Sequence, residues 1–366
     1  MYSKFRSLLF SLEAEQAHRL AVGAARLAQA VAPRVIESMF SYSHPSLHTS
    51  IFGKQFTNPI GLAAGFDKNA RMILFWRKMG IGFMEVGSVS ARRSKGNKKP
   101  RAFRLPDDRA LINRMGINND GAERIALRLK RHAGILAFPV GANIAKTHDP
   151  DIQGDAAVED FCISFRTLAP HVDYITLNVS CPNTSDGKTF EDPNVLDRLL
   201  VALKKERDEF VRRIPVLIKF SPPERDSFVL DSHFDELLLV SLAHGIDGFV
   251  ASNTASDWQN LTTSRTLLEK IGNGGLSGPP IEKRATQLVR YIFQKTEGKL
   301  PIIGVGGVAS GEAAYAKIRA GASLVQLFTG LVYRGPGLIP SVKRRLVELL
   351  NEDGFGTISQ AVGRDA

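Results

Sequence analysis

Cysteine is scarce in this chain: there are two in 366 residues. Two thiols cannot build a disulfide framework, which excludes the stapled secreted scaffolds and makes a reducing compartment the default. No Cys/His spacing of a metal site occurs, so no metal is expected. There is also no apolar run of about 18 residues, the length that a bilayer-crossing helix needs, and no signal peptide with a small-residue cleavage site. The chain is expected to be soluble or to lie on a membrane. Acidic residues are outnumbered, 37 Asp and Glu against 48 Lys and Arg, for a formal charge of +11. That excess fits an anionic partner or simply a basic, solvated surface. Nucleic acid is not the expected partner, because the basic residues are scattered, with only short runs such as Lys98-Lys99 and Lys343-Arg344-Arg345, and no nucleic-acid motif accompanies them.

What is present is alternation. From about residue 58, short apolar runs recur between segments of helical periodicity, the pattern of a parallel sheet built from β/α units. The candidates are Pro59 to Ala64, Phe83 to Val89, Phe138 to Ile144, Tyr174 to Val179, Val216 to Phe220, Gly248 to Ser252, Ile302 to Val305 and Leu324 to Phe328. Most end in small or polar residues, including Asn143, Asn178, Lys219 and Asn253-Thr254. A barrel builds its active site from such residues at the C-terminal ends of its strands. The fold class expected is α/β, a (β/α)8 TIM barrel, with a doubly wound sheet as the structural alternative.

Two segments depart from the alternation. Residues 91–134 are too long for a simple crossover and are expected to form an insertion over the barrel mouth. Residues 1–45 read as an amphipathic helical extension preceding a barrel domain of 46–366. Leu12, Ala17, Leu20, Ala21, Ala24, Leu27, Ala28 and Val31 recur at helical spacing until Pro33, and a second short helix is expected over Arg34 to Met39. Lys4, Arg6, Arg19, Arg26 and Arg34 punctuate the pair. This pattern suits a module that dips into an anionic lipid surface, and it suits equally a pair of helices packed on the barrel.

Chemistry concentrates at the strand ends. In Asn178-Val179-Ser180-Cys181-Pro182-Asn183-Thr184 a cysteine follows the fourth strand among hydrogen-bonding amides, a place for proton transfer or nucleophilic attack; the alternative is a small inert apolar residue. Cys162, within a helical apolar segment, reads as packing. Lys68 and Lys219 end strands one and five, where an ammonium faces the mouth and an anionic ligand can offset its desolvation; the alternative is a surface lysine. Asn113, within the run Asn113-Arg114-Met115-Gly116-Ile117-Asn118-Asn119, adds amide donors and acceptors, though such clusters are commonly turns. The turns Gly274-Gly275-Leu276-Ser277-Gly278 and Gly304-Val305-Gly306-Gly307, with Phe328-Thr329-Gly330, suit a phosphate cradle formed by the loops after strands seven and eight.

These residues carry a resemblance. The chain resembles the dihydroorotate dehydrogenases, and its extension is similar to that of the class 2, quinone-linked, membrane-associated branch. The likeness runs from Glu15-Gln16-Ala17-His18 through Gly61-Leu62-Ala63-Ala64-Gly65-Phe66-Asp67-Lys68, Ile112-Asn113-Arg114-Met115-Gly116, Ser180-Cys181-Pro182-Asn183-Thr184, Ser252-Asn253-Thr254 and Gly275-Leu276-Ser277-Gly278 to Pro301-Ile302-Ile303-Gly304-Val305-Gly306-Gly307. It implies FMN contacts at Ala63, Ala64, Gly65, Ser88, Asn143, Asn178, Lys219, Ser252, Gly278, Gly307, Phe328 and Thr329. It implies substrate contacts at Lys68, Asn113, Arg114, Met115, Gly116, Ile117, Asn178, Asn183, Asn253 and Thr254. The implied reaction takes dihydroorotate to orotate: Cys181 removes the C5 proton while hydride leaves C6 for the flavin, and a membrane quinone accepts the electrons. The implied location is the cytoplasmic face of a bacterial inner membrane, since no transit peptide precedes the module.

Some positions depart from the family pattern. Class 2 members carry serine where Cys181 stands, and cysteine belongs to the soluble class 1. Ser88 and Ser252 replace the usual threonine, and Phe328 the usual tyrosine. A paralogue acting on another dihydropyrimidine, or using a soluble acceptor, is therefore an alternative.

Overall fold

The computed structural model describes residues 2–132, 138–180, 189–224 and 232–366. Eight strands close into a parallel barrel: β1 (Ile60–Leu62), β2 (Phe83–Val89), β3 (Val140–Ile144), β4 (Tyr174–Asn178), β5 (Val216–Phe220), β6 (Gly248–Ala251), β7 (Ile302–Val305) and β8 (Leu324–Leu327). Neighbours around the barrel are neighbours in sequence, and β8 pairs with β1 to close it. The doubly wound alternative is excluded by that closure.

The strands are buried on both faces, as a parallel sheet under helices requires. Outward residues such as Ile60, Leu62, Val86, Leu177 and Ile218 join the shell of helices in one apolar core. Inward residues form a separate core of Phe83, Tyr174, Leu217, Val250, Ile303 and Leu324. Its large rings occupy space that neighbouring strands leave open: a Cβ on Gly61 would fall 2.4 Å from the Phe83 ring, and one on Gly141 2.1 Å from the Tyr174 ring. An antiparallel hairpin, Thr49–Ile51 with Lys54–Phe56, brings Phe52 and Phe56 onto Tyr174 and Phe83 and closes that end of the barrel.

Residues 91–134 hold two antiparallel strands, Ala102–Leu105 and Ala110–Asn113, which a third strand, Gly275–Ser277, joins from the far side of the sequence. The helix Ala122–Lys130 then packs beside Gly154–Leu168 as a crossover helix of the barrel.

Three helices precede the barrel: α1 (Tyr2–Ser11), α2 (Ala14–Val31) and α3 (Pro33–Phe40). Pro33 opens α3, where its fixed φ and missing N–H cost nothing. The module is anchored by polar contacts. Arg101 makes a two-pronged ion pair with Glu15 at 3.0 and 2.8 Å. Arg104 donates to the carbonyls of Leu9 and Leu12 at the end of α1. The Phe75 amide donates to Gln29, and Lys343 donates to the carbonyls of Tyr42 and Gly80. Ala25 and Ile36 are buried, whereas Leu20, Leu27, Val31, Val35 and Met39 are exposed. The module thus packs on the barrel with one face and leaves an apolar ridge on the other.

Candidate active site

The C-terminal ends of the strands bring polar side chains together at one mouth. The β4–β5 register sets Asn178 beside Lys219. Lys219 is 6% exposed, and Asn143 is fully buried. From β6, Asn253 donates to Asn178 Oδ1 at 3.1 Å and to Ser180 Oγ at 2.9 Å. Asn178 Nδ2 donates to Ser88 Oγ at 2.9 Å, and Ser88 donates in turn to Asn143. Ser180 Oγ donates in turn to the Lys219 carbonyl at 2.9 Å. Thr254 follows, its amide on Asn253 Oδ1 at 2.9 Å. Five strands thereby contribute to one connected set of amides and hydroxyls.

At the end of β1 the backbone carries Ala63, Ala64 and Gly65 past β8 and β2: the Ala63 amide donates to the Leu327 carbonyl at 3.1 Å, and the Gly65 amide to that of Gly87 at 2.6 Å. Asp67 is buried and accepts from the amides of Arg71 and Met72, which fixes the turn that presents Lys68. Burial pushes its carboxyl above the usual range, against the pull of those amides. Lys68 Nζ reaches Asn118 at 2.5 Å and so ties this turn to the insertion.

The glycine turns converge on the other side. Gly278, Gly306 and Gly307 have φ of +107°, +110° and +76°, values that favour residues without a Cβ. The Ser277 and Thr329 hydroxyls lie 2.9 Å apart, and Ser252, 2% exposed, hangs its amide on the Val305 carbonyl at 3.0 Å. Turns rich in backbone N–H with two hydroxyls suit a phosphate; the three asparagines and Lys219 suit a polar planar ring. The donor set therefore fits a phosphorylated heteroaromatic cofactor of the flavin class.

The remaining expected residues are placed less directly. Asn113 ends its strand and donates to the Gly275 carbonyl at 3.3 Å. The Arg114 side chain turns toward the carbonyls of Ile271 and Asn273 and stacks on Phe103, so its guanidinium serves the insertion. Met115 accepts from the Asn97 amide with its carbonyl, and Gly116 and Ile117 have positive φ in the turn leading to Asn118. Cys181 and Asn183 lie outside the described residues.

Glu85, beneath Asn143, was not among the sequence candidates, and Asn118 and His18 stood within motifs read in the sequence without a role of their own. His18 on α2 meets Phe66 edge to face at 5.3 Å, and Phe66 meets Phe328 in the same way at 5.3 Å. An aromatic path thus leads from the extension to the end of β8. Burial, with the Lys68 charge nearby, holds the His18 imidazole below its usual pKa.

Comparison with known proteins agrees with this architecture. The family model described as "Dihydroorotate dehydrogenase" matches residues 46–350. A protein of Halobacterium salinarum named "Dihydroorotate dehydrogenase (quinone)" is 41% identical over 368 residues, covering 100% of both chains. One of the same name from Cereibacter sphaeroides is 42% identical, covering 97% of this chain and 95% of its own. The crystal structure of a dihydroorotate dehydrogenase from Eimeria tenella in complex with ferulenol superposes with a TM-score of 0.82 at 31% identity, covering 95% of each chain. With a barrel of this topology, a mouth of this composition and likeness over its whole length, the chain belongs to the dihydroorotate dehydrogenase family, in its quinone-linked class.

Proposed function

We propose that this chain oxidises (S)-dihydroorotate to orotate on FMN held at the barrel mouth and delivers the electrons to a membrane quinone, a step of pyrimidine biosynthesis. The observation that carries the reading is the joining of two features: the Asn143, Asn178 and Asn253 set with Lys219 at the mouth, and the His18, Phe66 and Phe328 path that connects it to the N-terminal helices. FMN, when bound, supplies the hydride acceptor. Lys219 places positive charge where the reduced ring would carry negative charge. Ser277, Thr329, Gly278 and Gly307 suit the phosphate, while Ala63, Ala64, Gly65, Ser88 and Ser252 suit the ring. Lys68 favours the substrate carboxylate, and Asn178, Asn183, Asn253 and Thr254 with the 113–117 turn match the alternating N–H and C=O edge of a pyrimidine. Cys181 holds and removes the C5 proton. The extension is the quinone entry and the contact with anionic lipid, placing the protein at the cytoplasmic face of a bacterial inner membrane.

The test is anaerobic. Dihydroorotate is added to purified yellow protein, the flavin absorbance is followed, and a soluble quinone or fumarate is then supplied. Bleaching that quinone reverses is the expected result. Reversal by fumarate alone would overturn the quinone half of the reading, and absence of bleaching would overturn the substrate.

A further inference from the structure

Beside the N-terminal module, Arg26, Gln29, Ala70, Arg71, Arg128 and Arg131 line an open hollow of about 420 Å³. Three elements build it. The helix α2 supplies Arg26 and Gln29, the turn after Lys68 supplies Ala70 and Arg71, and the end of the helix Ala122–Lys130 supplies Arg128 and Arg131. No carboxylate among the described residues lines it. Four like charges on one hollow repel one another and favour an anion between them.

Two of these arginines are held from behind. Arg71 and Arg128 share one oxygen of Asp120 at 2.8 and 2.7 Å, and Arg128 also donates to the Asn69 carbonyl at 2.9 Å. Asp67 accepts from the Arg71 amide and Asn69 Oδ1 from the Asp120 amide, so both side chains start from fixed backbone. Arg26 and Arg131 have no hydrogen-bond or ion-pair partner among the described residues. Gln29 adds a neutral donor: its Oε1 accepts from the Phe75 amide at 2.9 Å, which leaves its NH2 for the lining.

These donors outnumber what the two oxygens of a carboxylate can accept. They suit the four oxygens of a phosphate, which guanidinium forks meet in pairs. Each element also carries an exposed leucine close in sequence to the hollow. Leu27 follows Arg26, Leu74 lies three residues past Arg71, and Leu127 precedes Arg128, with 66%, 38% and 63% of their surface exposed. A free anion leaves these side chains in water, whereas a phospholipid brings acyl chains to cover them.

We propose that this hollow is a phosphate site filled by the headgroup of an anionic phospholipid, whose acyl chains lie over Leu27, Leu74 and Leu127. Arg71, Arg128 and Arg131 belong to the barrel, so the barrel itself shares in holding the membrane, and the bound headgroup bridges it to α2. The site refines the lipid contact proposed above and rests on it for the source of the phosphate. Binding of phosphate is independent of the reaction.

The full chain is titrated calorimetrically with three soluble probes: dihexanoylphosphatidic acid below its micelle concentration, dihexanoylphosphatidylcholine and inorganic phosphate. The phosphatidic acid should bind once per chain and about tenfold more tightly than the other two, since it alone joins a net negative phosphate to acyl chains. Arg26→Gln combined with Arg131→Gln should weaken it about tenfold, the loss of two exposed ionic contacts. Neither arginine holds another group, so folding should be unaffected; Arg131→Gln alone should weaken binding about threefold. Arg19→Gln with Arg34→Gln removes the same charge from the extension outside the hollow and should change the affinity less than about twofold. An equal loss in that control would reduce the hollow to diffuse attraction and overturn the proposal. Undiminished binding in the Arg26 and Arg131 variant would place the headgroup elsewhere and leave the general lipid contact standing. Inorganic phosphate held as tightly as the lipid would overturn the headgroup as occupant. If no probe binds, the site fails, while vesicle flotation still judges the lipid contact by itself.

Discussion

A thiol ionises far more readily than a hydroxyl, its reference pKa being about 8.5, so the choice of cysteine at position 181 has a measurable consequence. Flavin reduction by dihydroorotate should reach a plateau before pH 10. Cys181→Ser should lower the rate at pH 7 and leave it rising through that range; Cys181→Ala should lower it by about 10²- to 10⁴-fold, the usual contribution of a general base. A wild-type rate that climbs without a plateau to pH 10 would remove the thiol from the role. Gly307 makes a second case. Its φ of +76° disfavours any side chain, and an added Cβ would fall 2.3 Å from the Cβ of Glu282. Gly307→Ala should shift this turn, costing about 1–3 kcal/mol, and the purified variant should carry less flavin per chain. A full flavin complement would argue that the turn does not touch the cofactor. Asn143, Asn178 and Lys219 were legible in the sequence because each ends an apolar run. Glu85 was not, because a lone Glu inside Phe83 to Val89 gives no sign of the four donors that gather on it from three other strands.

Between elements, Lys317 ties the helix Gly311–Arg319 to the helix Glu282–Lys295. It is fully buried, donating to Thr286 Oγ1 at 2.8 Å and the Glu282 carbonyl at 3.2 Å. Burial pushes its ammonium down from 10.5 to about 7, against the attraction of Glu282. Below pH 7 both folded and unfolded chains are protonated there, and the cost of burying the charge is present in full. Between pH 7 and 10.5 the unfolded chain holds a proton that the folded chain has lost, so stability rises with pH across that window. Lys317→Met should remove this rise. In urea unfolding at pH 7, 8 and 9, wild type should gain on the variant by up to about 1.4 kcal/mol per pH unit. Parallel curves would mean that the lysine stays charged. Element order itself was largely readable, because apolar runs bounded by small or polar residues mark all eight barrel strands. The sheet of Ala102–Leu105, Ala110–Asn113 and Gly275–Ser277 was not, because its third strand comes from beyond β6 and its pairing leaves no local pattern. Helix α1 also escaped, since the apolar periodicity begins at Leu12.

At the scale of the whole molecule, the extension settles two demands at once. It is held to the barrel by Glu15 with Arg101, Gln29 with the Phe75 amide, and Lys343 with two carbonyls, so its orientation is fixed before any membrane is met. On α2 the exposed Leu20, Leu27 and Val31 share one face, Val35 and Met39 continue it on α3, and Arg19 and Arg26 run along the flank. Arg26 also borders an open hollow of about 420 Å³ with Arg71, Arg128 and Arg131, where Arg71 and Arg128 share a single carboxylate, Asp120. An apolar ridge beside excess positive charge is the arrangement that binds an anionic interface, with each basic residue near the surface worth about 1 kcal/mol. No helix among the described residues is long and apolar enough to cross a bilayer. The protein should float with vesicles containing anionic phospholipid and bind neutral vesicles more weakly, the difference shrinking as salt screens the charges. Leu27→Glu combined with Val31→Glu should abolish flotation and slow reoxidation by a membrane-resident quinone. Reduction by dihydroorotate should be unchanged, since both side chains are exposed on the extension. Flotation that survives both substitutions would place the lipid contact on another face and separate quinone access from this ridge.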